Sequence, residues 1–144
     1  MRAVLDTNVL VRAAANESGL AGSLLKKITA GEHVLVLSPY ILGEVSRVLA
    51  YPRLRARWLL DTSRIREFVE GLAGIAEIVR ASTPAEPVVA ADPNDDPIIQ
   101  TAILGCAEVL VTRDSHLLAP AVLRYCAAHG IRVMDDVELH GILS

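Results

Sequence analysis

The sequence predicts an α/β fold, a three-layer α/β/α sandwich around a central, mostly parallel sheet of four to five strands. Three observations carry this. Short β-type or continuously apolar runs at Arg2 to Leu5, Val34 to Leu37, Val109 to Thr112 and Ile131 to Met134 alternate with segments of helical apolar spacing. Strands alternating with helices at this spacing imply right-handed βαβ units and an open sheet covered on both faces. The 144 residues are the size of one domain, and a 52% hydrophobic content drawn mostly from Ala, Val, Leu and Ile suits an aliphatic core between sheet and helices.

Each element has a local reason. Arg2 to Leu5 is ended by Asp6-Thr7-Asn8, after which Val9, Leu10 and Ala13 begin a helical spacing. Leu20 to Thr29 carries Leu20, Leu24, Leu25 and Ile28 on one side, and Gly31 takes the usual C-terminal glycine position. Val34 to Leu37 reads as a strand buried on both faces. Ser38-Pro39 combines an N-cap with a proline at the first helical position, opening a helix through Leu49 that Tyr51-Pro52 stops. Helical patterns resume over Arg53 to Leu60 and Ser63 to Leu72, and Ile75 to Val79 is the candidate fifth strand. Ser82 to Asp96 holds Pro84, Pro87, Pro93 and four acids, and reads as a connecting loop. Pro97 to Cys106 places Ile98, Ile99, Ala102, Ile103 and Cys106 on one helical side, leading into the strand Val109 to Thr112. Ala121 to His129 is a further helix closed by Gly130, followed by the last strand, Ile131 to Met134, and a terminal segment, Val137 to Leu143.

Composition narrows the function classes. A net charge of −3 does not by itself suggest a polyanionic partner, but Arg47, Arg53, Arg55, Arg57, Arg64 and Arg66 place six of the 14 basic residues within 20 positions. Cys106 and Cys126 have no CxxC or Cys/His spacing and are expected to be reduced core residues. His33, His116, His129 and His140 lack the spacing of a metal box. The N-terminus lacks the pattern of a signal peptide, and no apolar stretch approaches the roughly 18 residues of a transmembrane helix. The expected compartment is therefore the cytoplasm, with no membrane partner.

Four carboxylates, Asp6, Glu44, Asp96 and Asp114, sit in patterns that bring them to one end of the sheet. Asp6 follows the first strand directly and Asp114 follows the strand Val109 to Thr112 by two residues. In open parallel sheets ligands bind beyond the carboxyl ends of the strands. Asp96 begins a helix, and the long loop before it allows it to reach the same edge. Glu44 lies three residues after Ile41 and four before Val48, on the apolar stripe of its helix, so its carboxylate is expected to point toward the sheet. An ionised carboxylate there needs a cation, a hydrogen-bonding site or a raised pKa. Oxygen ligands without a basic partner are the usual environment of a hard divalent metal. Each acid also has a plainer role: Asp6 and Asp96 as helix caps, Asp114 as a turn residue, Glu44 as a side chain reaching the helix edge. Asp92 and Asp95 compete with Asp96 as ligands.

With these acids in place the chain resembles a PIN domain, the metal-dependent nuclease fold used by toxins of VapBC-type toxin-antitoxin pairs. The matching pieces are Val4-Leu5-Asp6-Thr7-Asn8-Val9-Leu10, Leu37-Ser38-Pro39 through Glu44 and Val48-Leu49, Asp95-Asp96-Pro97-Ile98-Ile99, and Val111-Thr112-Arg113-Asp114 with Leu117-Leu118. The resemblance implies one PIN-like domain over residues 1–144 and a ribonuclease whose catalytic and metal-binding acids are Asp6, Glu44, Asp96 and Asp114. Asn8 and Thr112 would support them. The implied cofactor is Mg²⁺ or Mn²⁺, and the implied partners are RNA, a cognate antitoxin protein and a second copy of the chain in a homodimer.

RNA must approach a negative site, and the segment containing Arg47, Arg53, Arg55, Arg57 and Trp58 offers phosphate contacts and a stacking surface. Its plainer reading is a solvated helical face. Single-stranded or looped RNA suits such a cleft better than a rigid duplex. A haloacid-dehalogenase-type phosphoryl transferase would want a second Asp where Asn8 stands, and a receiver domain would want a Lys after a late strand, whereas the only lysines are Lys26 and Lys27. The stronger alternative is a non-catalytic PIN-like module that binds RNA or protein, against which the intact acids argue.

Overall fold

Five strands, β1 (Arg2–Leu5), β2 (Val34–Leu37), β3 (Glu77–Ile78), β4 (Val109–Val111) and β5 (Arg132–Met134), lie in the order β3-β2-β1-β4-β5, with every neighbouring pair parallel. The architecture comes from a computed structural model that describes residues 1–80 and 96–143. The helices are α1 (Thr7–Ala15), α2 (Leu20–Thr29), α3 (Pro39–Leu49), α4 (Pro52–Trp58), α5 (Thr62–Ile75), α6 (Asp96–Leu104), α7 (Pro120–Ala128) and α8 (Asp136–Ile142). The expected α/β sandwich is therefore present, and its sheet is parallel throughout. The proline-rich segment with Asp92 and Asp95 lies outside the described residues.

The central strands are covered on both faces, as their continuously apolar residues require. Ala3, Val4 and Leu5 of β1 and all of β4 are buried, aligned as Ala3 with Val109 and Leu5 with Val111. Ala3 also pairs with Leu35 of β2. Fully buried Leu5, Leu35, Leu37 and Leu110 each contribute about 1.5–3 kcal/mol of apolar transfer. At one edge, β3 has two exposed residues, and Arg2 grips its Glu77 through both carboxylate oxygens at 2.8 and 3.0 Å. Such a short, charged edge strand resists further pairing.

The chain runs outward from β1 through β2 to β3 and then returns to add β4 on the other side of β1. This reversal opens a crevice at the carboxyl ends of β1 and β4, where α/β sheets take ligands. Ser38 caps α3 by accepting from the Ile41 amide at 3.4 Å, with Pro39 at the first helical position, as its sequence predicts.

Three expectations are refined or corrected. Gly31 takes the expected position after the C-cap Ala30 but not the left-handed conformation that favours glycine there. Cys106 is exposed and lies past the end of α6 at φ 51°, whereas Cys126 is buried as expected. Helix α8 begins at Asp136, ahead of the expected segment, because Asp135 caps it by accepting from the Glu138 amide at 2.8 Å. Gly130, at φ 74°, supplies the left-handed turn that separates α7 from β5.

Candidate active site

Asp6 occupies the crevice and is only 3% exposed. Its backbone amide donates to Val111 at 2.8 Å, extending the β1–β4 pairing by one residue. Its side chain caps α1, Oδ1 accepting from the Thr7 amide at 2.7 Å, while Oδ2 accepts from Thr112 Oγ1 at 2.8 Å. Capping and site membership thus coexist, since a carboxylate has lone pairs beyond the two used here. Burial pushes the Asp6 pKa up; the Thr112 and Thr7 hydrogen bonds oppose this, and the negative charges of Asp114 and Glu44 add to it. The net direction is upward.

Thr112 is fully buried and joins the two strand ends. Its hydroxyl donates to Asp6 and accepts from the Asp114 amide at 2.9 Å. Asp114 in turn accepts from the His116 amide at 2.8 Å, so its turn role and its place beside Asp6 are compatible. Asn8, in the first turn of α1, is exposed. Asp96 is 5% exposed at the start of α6, and that helix packs on β1, β2 and β4. Thr101 Oγ1 donates to Ser38 Oγ at 2.9 Å, which fixes α6 beside the carboxyl end of β2. Asp96 lies five residues before Thr101, about 7.5 Å along the helix by its rise.

Glu44 departs from expectation. Its side chain is 27% exposed and its Oε2 takes Arg47 Nη2 at 2.7 Å, so it sits at the edge of the α3 face with a basic partner one turn away. The expectation of four acids without a basic partner is corrected by this pair. Among the described residues, no three Asp, Glu, His or Cys side chains are gathered closely enough to hold one ion. The like charges that raise the Asp6 pKa show Glu44 and Asp114 acting on the same point, but Arg47 holds the Glu44 carboxylate.

The basic segment divides in two. Arg47 also donates to the Tyr51 hydroxyl, and Arg55 donates to the Leu60 carbonyl at 3.2 Å and to Thr62 at 3.3 Å, so both are engaged within the fold. Arg53 and Arg57 are exposed, with the Arg57 guanidinium 6.0 Å from the centre of the Trp58 ring. Trp58 is half-buried and lines a groove of about 530 Å³ of mixed character, with Leu49, Ile65 and Phe68 beside Glu17, Arg64 and Glu67.

One acid at this edge escaped the sequence reading. Asp136 follows β5 by two residues, is completely buried, and binds Arg113 Nε at 2.6 Å and Arg12 Nη1 at 3.5 Å. Its signal was present, since Met134-Asp135-Asp136 repeats the strand-then-aspartate pattern of Leu5-Asp6.

Comparison with known proteins bears on the family and the fold. The chain is 29% identical over 119 residues to an uncharacterized protein of Methanocaldococcus jannaschii, a match covering 83% of this chain and 74% of that one. Its fold is similar to a chain in the crystal structure of VapBC2 from Rickettsia felis bound to a DNA fragment from their promoter. That match has a TM-score of 0.58 and 16% identity, and covers 94% of this chain and 100% of the other. The PIN-domain family model matches residues 2–116, and the chain belongs to the PIN-domain family of nucleases.

Proposed function

We propose that the chain is a single PIN domain acting as a metal-dependent endoribonuclease, the toxin of a toxin-antitoxin pair, in the cytoplasm. The observation that carries this reading is Asp6, a buried carboxylate that has no ion-pair partner among the described residues and whose pKa is raised by burial and by Asp114 and Glu44. A divalent cation would relieve that unfavourable ionisation, and an all-oxygen donor set suits Mg²⁺ or Mn²⁺. Asp6 and Asp96 would hold the ion directly or through its waters, since a hard cation keeps several, and Asp114 and Glu44 would orient water from farther out. When bound, such an ion supplies an activated water and neutralises charge developing on the phosphoryl group.

The protein's own share is positioning and proton control. Thr112 fixes Asp6 through Oδ2 and Asp114 through its amide, so the two carboxylates keep one relative placement. The Thr7 amide holds Oδ1, which orients the remaining lone pairs of Asp6. Glu44 becomes available when Arg47 turns away, and the same guanidinium chemistry is what an antitoxin arginine would use to quench the site. The partner assignment is supported by the fold likeness to the VapBC2 complex.

The test is cleavage of a mixed single-stranded and structured RNA by the purified chain with Mg²⁺, Mn²⁺ or EDTA, beside Asp6→Asn. Metal-dependent fragments absent from the variant are expected. A folded protein that cuts nothing with either metal would favour the non-catalytic binding module.

A further inference from the structure

Asp136 is the second deeply buried aspartate at this edge of the sheet, and the chemistry above does not use it. Its Oδ1 takes Arg113 and its Oδ2 takes Arg12, yet the two arginine side chains remain 41% and 44% exposed. One carboxylate with two cations leaves an excess positive charge at the surface. Arg113 sits in the chain between Thr112, which is bonded to Asp6, and Asp114; Arg12 lies on α1, the helix that Asp6 caps. Among the other acids of these segments, Asp135 caps α8, Glu138 lies 3.9 Å from Arg132, and Asp114, next to Arg113, accepts from the His116 amide.

We infer that Arg12 and Arg113, oriented by Asp136, form a phosphate-binding fork for single-stranded RNA, receiving a backbone phosphate neighbouring the one at Asp6. The location beside Asp6 rests on the nuclease reading, whereas the phosphate contact does not. Among the described residues, Arg113 bonds Asp136 through Nε and Arg12 bonds it through Nη1, and neither guanidinium has another side-chain hydrogen bond. Guanidinium N–H groups match phosphate oxygens in pairs, and a buried anchor reduces the rotamer entropy lost on binding. A carboxylate-lined crevice repels a polyanion, so a fixed pair of cations at its rim supplies the local attraction that an overall charge of −3 does not. Asp136 is then a positioning residue that acts through the two arginines.

The test is binding of labelled single-stranded RNA to full-length Asp6→Asn protein without metal, followed by anisotropy from about 50 to 300 mM salt. Arg12→Gln and Arg113→Gln, each added to that background, should weaken binding about five- to tenfold. Each should also lower the slope of log affinity against log salt by about 0.7, the loss of one phosphate contact to a single strand. Arg113→Lys should keep the slope while losing affinity, which a purely structural role would not produce. Arg132→Gln, at the opposite end of β5, should change neither quantity. Thermal melts confirm that each variant is folded.

The inference is overturned if the parent binds no RNA, or if folded Arg12→Gln and Arg113→Gln bind with the affinity and slope of Arg132→Gln. It is equally overturned if the arginines govern binding to a polyglutamate peptide but not to RNA. Since no cleavage is measured, arginine-dependent binding by a chain that never cuts would leave the fork standing and remove only the nuclease reading.

Discussion

Asp6 and Asp136 are buried aspartates beyond the carboxyl ends of two parallel strands separated only by β4, yet their surroundings are opposite. Asp136 has Arg113 and Arg12 on its two oxygens. Asp6 has a hydroxyl and an amide, and feels the negative charges of Asp114 and Glu44. Equal burial therefore does not mean equal purpose. The compensated acid holds other groups in place, while the other is poised for a cation that no described residue provides.

The sharpest way to separate the two is substitution. Asn also caps helices, so Asp6→Asn should fold while losing RNA cleavage by at least about 10³-fold, equivalent to ~4 kcal/mol of transition-state stabilisation. Equal cleavage by variant and parent would remove Asp6 from the chemistry. Asp136→Ala should act mainly on stability, costing about 1–2 kcal/mol in urea unfolding. This is below the usual cost of breaking a buried pair, because its arginines are two-fifths exposed and can turn to water.

The third contrast is in pH. The folded pKa of Asp6 is raised above its ordinary 3.8, so the native state binds more protons than the unfolded chain between those two values. The Asp6 contribution to stability is therefore complete below that ordinary pKa and lost as pH rises through the raised one. In EDTA, Asp6→Asn should melt with wild type near pH ~3.5 and above it by pH ~7. A variant less stable than wild type at the higher pH would contradict the direction of the shift. The smallest effect is expected at the edge of the site: Arg47→Gln frees Glu44, and Mn²⁺ titration should show modestly tighter binding with the fold unchanged.

Much of this was legible in the chain, because local rules and tertiary placement agree. Asp6 and Ser38 follow strands and open helices, and each caps as its position predicts. The crossover pattern fixed the sheet direction, and the topological reversal then brought Asp6 and Thr112 together. The Glu44 apolar stripe was read correctly as a face, but a stripe does not disclose which side chains compete at its margin, and Arg47 lies one turn away. Asp136 was missed because its partners, Arg12 and Arg113, are 124 and 23 residues distant, a relation that periodicity cannot express. Cys106 looked like core by helical spacing, but α6 stops two residues earlier and the chain turns outward at φ 51°.

The most direct measurement is Mn²⁺ binding by isothermal titration, comparing wild type, Asp6→Asn and Asp136→Asn. Wild type should bind with proton release, Asp6→Asn should lose about tenfold or more in affinity, and Asp136→Asn should retain it. Wild-type affinity in Asp6→Asn, or an equal loss in both variants, would contradict the claim that the uncompensated aspartate is the cation's anchor.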